Sequence, residues 1–165
     1  KRLAVIDLIV LAMLYTARIM AGSVATHLPL SFWMLAFSMF LFLGLAIAKR
    51  YAELLRLSTR LGGSAAPGRG YVVSDLAGIA NMGVAASYIA VLVLALYVND
   101  PMTQHLYREP RLIWLACPIL LYWVSRIWML SHRGQMNEDP VVFALTDKVS
   151  LVCGVLFVLV FALAR

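Results

Sequence analysis

The chain has 165 residues, 63% of them hydrophobic and only 13% charged, with a net charge of +6. Soluble domains run to about 45–50% apolar residues, so this composition excludes an ordinary soluble domain and predicts an all-α, polytopic transmembrane helix bundle. The basic residues follow the loops between apolar runs, which makes membrane topology and not nucleic acid the reason for the charge.

Lys1 and Arg2 lead directly into a first predicted span over residues 4–22. No initiator Met and no signal peptide with a small-residue cleavage site precede it, which points to a piece of a longer protein. Asp7 and Arg18 stand eleven residues apart in this span and so share a helical face. An Arg inside a membrane segment costs about 2.5–3.5 kcal/mol on insertion scales and normally faces a bundle interior or a wet cavity. Arg18 is therefore either a functional residue or the structural partner of a carboxylate elsewhere. Asp7, nearer the end, is expected to reach the headgroups.

A second span over residues 31–48 runs into a charged stretch, residues 43–61, around which the chain is organised. If the helix continues, Lys49, Glu53, Arg56 and Arg60 share one face, Arg50 lies about 100° around from Lys49, and Leu54, Leu55, Leu57 and Leu61 fall opposite. Two readings stand. Such a stripe can hold a phosphate or diphosphate at the membrane surface, with Arg forking to oxygens and Lys acting as a point charge. Basic residues at the inner end of a membrane helix also serve only to fix topology and snorkel. Glu53 weighs against the second reading, because a topology signal needs no carboxylate.

Residues 62–71 read as a flexible linker, and Ser74 or Asp75 as the N-cap of a third span reaching about residue 98. That span is rich in Gly, Ala and Ser, which lets helices approach closely and predicts a place in the bundle interior. Asn99, Asp100 and Pro101 signal a turn. A fourth span over residues 112–130 carries Trp114 and Trp128, placed in interfacial belts, and puts Tyr122, Arg126 and Arg133 on one face. A mixed-charge loop through Glu138, Asp139 and Pro140 leads to Asp147, Lys148 and a last span over residues 149–164. Cys117 and Cys153 read as buried thiols, and the three histidines show no metal-ligand spacing. About five membrane helices result. The excess of Lys and Arg places the amino terminus and the charged loops on the cytoplasmic side and the carboxyl terminus outside.

Three stretches carry a family resemblance: Leu14-Tyr15-Thr16-Ala17-Arg18-Ile19-Met20-Ala21-Gly22, then Lys49-Arg50-Tyr51-Ala52-Glu53-Leu54, then Arg133-Gly134 through Asp139-Pro140. Together they resemble the second half of UbiA-type membrane prenyltransferases, nearest the polyprenyl-phosphate phosphoribosyltransferase subgroup. Residues 1–165 would then be the C-terminal part of such a domain, with five helices matching helices five to nine of a nine-helix fold. The family's first acid-rich motif, Asn-Asp-x-x-Asp-x-x-x-Asp, belongs to a first half of the protein that this sequence does not contain. In the phosphoribosyl subgroup the second motif is replaced by Lys-Arg-x-x-Glu, matched by Lys49, Arg50 and Glu53. The Tyr usual four residues before that Lys is Leu45 here, which leaves the donor open.

The resemblance implies a transferase of the bacterial inner membrane, acting on a polyprenyl lipid substrate with a diphosphate leaving group and using Mg2+. Basic side chains and the metal would stabilise the charge that grows on the departing group. Lys49, Arg50 and Glu53 are the candidate catalytic residues, and Arg18, Arg56, Arg126 and Arg133 the candidate substrate-binding ones. Glu53, Asp139 and Asp147 are the candidate metal ligands, although Asp147 is equally placed to cap the last helix. A non-catalytic membrane bundle, or prenylation of an aromatic acceptor, are the rival functions.

Overall fold

The computed structural model describes residues 5–27, 31–61, 71–136 and 139–165, and every regular element among them is helical. The helices are α1 (Ile6–Thr26), α2 (Phe32–Leu61), α3 (Leu76–Asn99), α4 (Pro101–Leu106), α5 (Ala116–His132), α6 (Pro140–Thr146) and α7 (Lys148–Ala164). Short 3-10 turns, Val73–Asp75 and Pro110–Leu115, lead into α3 and α5. Lys1, Arg2, the linker at 62–70, the Arg60 side chain and Glu138 lie outside the described residues.

Four helical stretches are long and apolar enough to cross a bilayer: Ile6–Thr26, Phe32–Ser58, Val73–Asn99 and Pro110–His132. This is a membrane protein's all-α bundle, as the composition predicts. The expected fifth span is shorter than the rest, because α7 has 17 residues. Beyond Lys148 and Ser150 in its first turn it is apolar, with Val152, Val155, Val158 and Leu163 all facing outward. An exterior as apolar as the core is what a lipid-facing helix requires.

Consecutive helices run up and down, which collects the loops at two ends. One end holds the start of α1, the last third of α2, Tyr71, the end of α5 and residues 139–147; the other holds His27, Tyr97, Tyr107 and Ala164. At the second end Glu109 N–H donates to Ala164 O at 3.2 Å, and the Tyr97 and Tyr107 hydroxyls meet at 3.2 Å. The basic-residue count along the sequence groups the loops in the same way.

The helix α2 is continuous for 30 residues, about 45 Å at the usual rise, against roughly 30 Å of hydrocarbon. Its apolar part occupies the bilayer, Lys49 comes about 26 Å from Phe32, and the remainder projects beyond. α3 lies against it, and the small residues explain how. A Cβ on Gly83 would fall 2.2 Å from the Trp128 ring and 2.7 Å from Ile47 Cγ2, and one on Gly44 would fall 2.4 Å from Ser87 Oγ. Ala80, Ala86, Ser87 and Ala90 are buried on α3 together with the larger Ile79, Val93, Leu94 and Val98. The expectation of an interior helix holds.

Trp128 corrects the sequence reading. It is not interfacial: it is 4% exposed, seated against Gly83, and its Nε1–H donates to Ser87 Oγ at 3.0 Å. The glycine on the neighbouring helix makes room for the ring, and that partner is 45 residues away in the chain. Trp114, by contrast, is exposed. Of the two N-cap candidates at 74–75, Asp75 stands at the N-cap position of α3, without a side-chain cap bond to that helix. Asp75 ends the 3-10 turn and its Oδ2 accepts from Val72 N–H at 3.0 Å, so the acid closes the turn that precedes α3.

Candidate functional site

The cationic stripe forms as a helix surface, but its cations are not bare. Lys49 Nζ donates to Asp139 Oδ2, which brings the segment after α5 onto α2 across ninety positions of sequence. Arg50 forks between two carboxylates: Nη2 donates to Asp7 Oδ2 at 2.9 Å, and Nη1 to Glu53 Oε2 one turn along the same helix. Arg56 Nη2 donates to the Met136 carbonyl oxygen. Lys49 and Arg50 are thus paired with Asp139, Asp7 and Glu53, while Arg56 meets a carbonyl oxygen.

Asp7 and Tyr71 are members of the site that the sequence reading missed. The Tyr71 hydroxyl donates to Asp7 Oδ1 at 2.7 Å and accepts from Val5 N–H at 2.7 Å, and the Arg50 guanidinium lies over its ring, 5.4 Å from the centroid. Burial, with the hydrogen bond to Asp7, pushes the Tyr71 hydroxyl above its ordinary range, so it stays a donor at neutral pH. The Arg50 side chain is held from α1, from α2 and from the residues before α3, and is 12% exposed. Its Nε finds no acceptor among the described residues. One signal was available: an acid in the first turn of a helix antiparallel to α2 stands at the depth of Arg50.

Beside this cluster, between α1 and α2, lies a small cleft lined by Leu11, Tyr15, Phe42, Leu45, Ala46, Lys49 and Asp139. Its floor is apolar and its mouth carries the one ion pair. Tyr15 and Phe42 stack at 5.1 Å between ring centroids. Leu45, the departure from the family pattern, is part of the floor. The arrangement offers an apolar groove with a cation at its water-facing end.

The remaining candidates are elsewhere. Arg18 stacks over Tyr15 at 5.3 Å from the ring centroid and is exposed on α1. Eleven residues of helix separate it from Asp7, roughly 16 Å of depth, so one phosphate does not bridge Arg18 and Arg50. Arg126 belongs to a second ionic site: it grips Asp147 with both terminal nitrogens, at 2.6 and 3.1 Å, and lies over Phe143. Arg133 is the C-cap residue of α5: its N–H donates to Met129 O at 3.1 Å and its side chain is exposed.

Asp147 caps α7 by accepting from Ser150 N–H at 2.8 Å. Burial acts to raise its carboxyl, but the hydrogen bonds from Arg126 and Ser150 and the Arg126 charge outweigh this and hold it below the usual carboxylate range. This capping role is the one the sequence allowed as the alternative to metal binding. Among the described residues no three His, Cys, Asp or Glu side chains come together as a metal site. Glu53, Asp139 and Asp147 each face a cation, and by themselves they do not fit a resident Mg2+.

No family model matches the sequence, and no solved structure matches it significantly. Two curated proteins do. The chain is 36% identical over 165 residues to an uncharacterized protein, y4nM, of Sinorhizobium fredii, matching 99% of this chain and 32% of that protein. It is 41% identical over 152 residues to the nodulation protein NoeC of Azorhizobium caulinodans, matching 90% of this chain and 48% of that protein. The chain therefore spans about a third to a half of the length of these relatives.

Proposed function

We propose that this chain is part of a membrane-embedded transferase of the UbiA prenyltransferase type, in which it receives the anionic head of a polyprenyl lipid. The observation that carries the reading is the cleft between α1 and α2, apolar along its floor and closed by Lys49 at its outer end. An isoprenoid lies along such a floor for the same reason that the helix faces a bilayer. Its phosphate then meets an ammonium at the level where α2 leaves the hydrocarbon.

In this reading Lys49 is the point charge for a phosphate oxygen, and Arg50, fixed by Asp7, Glu53 and Tyr71, is the preorganised guanidinium beside it. In phosphoribosyl transfer the lipid phosphate on Lys49 is the nucleophile. Its oxygen bonds the ribosyl C1 as the bond from C1 to diphosphate breaks, and negative charge grows on the departing diphosphate, which Arg50 would meet. A cation held in place beforehand stabilises that charge without reorganising, which is the largest single term in such catalysis. Glu53 and Asp7 are positioning residues, since they act through Arg50. Phosphoribosyl transfer to polyprenyl phosphate is one form of the chemistry, since Lys49, Arg50 and Glu53 match Lys-Arg-x-x-Glu, and Leu45 leaves the donor open. Mg2+ is not assigned to the acids of this chain. The acid-rich motif of the family would come from a further half of the same protein, for which relatives two to three times longer than the matched region leave room. The site would face the cytoplasm of a bacterial inner membrane, the side that the basic loops favour.

A second reading has its own support. Lys49, Arg50, Arg56 and Arg126 all engage protein acceptors, as they would in a non-catalytic bundle whose charges set topology and tie helices together.

The deciding experiment uses the full-length protein purified in detergent. Radiolabelled phosphoribosyl diphosphate with polyprenyl phosphate is compared with prenyl diphosphate and an aromatic acceptor. Label entering lipid in the first assay is the expected result. Transfer in the second assay alone makes the cluster the diphosphate site of an ordinary prenyltransferase, and no transfer in either favours the structural bundle.

A further inference from the structure

We infer that the outward face of α1, from Leu14 to Ala25, is the docking surface for another membrane helix of the longer protein, and that this helix meets Arg18 with a carboxylate. The inference does not depend on the transferase reading.

Arg18 carries it. Among the described residues its side chain touches the Tyr15 ring and is otherwise exposed. By the rise of the helix it stands about 18 Å from Ile6 and about 12 Å from Thr26, deep in the span. A guanidinium at that depth is costly in lipid and is kept where a carboxylate, a carbonyl or water meets it. The Tyr15 ring offers a face but no charge. Tyr15 lines the α1/α2 cleft and Arg18 does not, so the cleft leaves it unaccounted for. The acids nearest in the bundle are engaged elsewhere. Asp7, about 16 Å along the same helix, is held by Arg50 and Tyr71. Glu53, Asp139 and Asp147 face Arg50, Lys49 and Arg126.

The surface around Arg18 admits a helix. Ala21, Gly22 and Ala25 follow it at i+3, i+4 and i+7 and share its face. All three are exposed, and a Cβ on Gly22 would meet nothing within 4 Å. Small side chains let a second backbone come close, as they do where α3 meets α2 at Gly44 and Gly83. Gly78 and Gly154 also face open space, so small residues alone do not select a surface; the buried-depth charge selects this one. Of the four long spans α1 is the least covered, burying only Leu8 and Ala12. The curated relatives leave chain for the occupant, since the matched region is 32% of one and 48% of the other. A carboxylate on that helix at the depth of Arg18 accepts the guanidinium fork and cancels its charge.

The test uses the full-length protein in lipid nanodiscs. A photoactivatable phenylalanine analogue is placed at position 14, exposed and one turn from Arg18, and as a control at position 155 on the outward face of α7. After irradiation, mass spectrometry is expected to find position 14 joined to a peptide of the same chain outside these 165 residues, and position 155 joined to lipid. Position 14 joined to lipid, or to a second copy seen as a dimer on a denaturing gel, overturns the inference. Substitution tests the charge. Arg18→Leu strands the partner's carboxylate and is expected to lower the melting midpoint, whereas for an Arg18 facing lipid the same change is neutral or stabilising. Arg18→Lys keeps the cation and is expected to recover part of the loss. A midpoint for Arg18→Leu at or above the wild type, or for Arg18→Lys no higher than for Arg18→Leu, overturns the carboxylate. If Arg18→Leu fails to fold, the cross-link from position 14 decides.

Discussion

Two ionic sites stand at the same end of this bundle and are built to opposite specifications. Around Lys49 and Arg50 the charges are shared among α1, α2, the residues before α3 and the segment after α5, and one of the pairs opens on a cleft. Around Arg126 the arrangement is closed: one guanidinium, one carboxylate, two hydrogen bonds and a helix cap. Both contain Asp and Arg, so residue type does not distinguish them. Access does. A charge pair that lines an apolar groove can exchange its partner for a ligand, and one that caps a helix holds two helices together.

The sharpest way to break that contrast is through turnover. In the full-length protein, Lys49→Ala, Arg50→Ala and Glu53→Ala should each lower transfer by about a hundredfold or more, the scale of losing one preorganised donor, while the purified variants remain folded. Activity surviving all three removes the cluster from the site. Arg126→Lys, which keeps a cation opposite Asp147, should by comparison leave most of the activity.

Stability should sort the two sites in the reverse order. Asp147→Ala removes the α7 cap and strands Arg126, and a loss of about 1–3 kcal/mol is expected from the cap and the partly buried pair together. Thermal melts followed by tryptophan fluorescence would register it, and an unchanged midpoint would make the pair incidental. Packing offers a control away from both sites: Gly83→Ala drives a methyl into the Trp128 ring and should cost about 1–3 kcal/mol.

Acid gives a finer separation. The Asp147 carboxyl titrates lower in the folded protein than its ordinary value of 3.8. Its contribution is therefore complete above that ordinary value and is lost as pH falls through the lowered one. Stability should decline below about pH 4, and Asp147→Asn should flatten that limb of the pH–melting curve. The smallest effect belongs to Asp139→Asn, where loss of an exposed pair should cost about 0.2–1 kcal/mol. Added salt should erase this difference sooner than that of Asp147→Ala, because the more exposed charges are the better screened.

Much of the architecture was legible from composition because a membrane span is a local property: some twenty apolar residues announce it whatever their neighbours do. The helices, their up-and-down order and the charged end of α2 all follow from runs along the chain. So does the interior place of α3, since small side chains are the precondition for the approach of α2 at Gly44 and Gly83. Asp147 as a cap was equally visible, three residues before the amide it accepts from.

Partners were not legible. Arg50 meets Asp7 across 43 positions and Lys49 meets Asp139 across ninety, and no periodicity within α2 contains that information. Trp128 looked interfacial by its position near a helix end and is buried because a glycine on another helix leaves a hollow for it. The sequence by itself determined what each segment can tolerate, lipid or water, through hydropathy counted residue by residue. Only the tertiary structure decided which charges cancel and which line a cleft, because pairing energy depends on distance and exposure, and packing alone sets both.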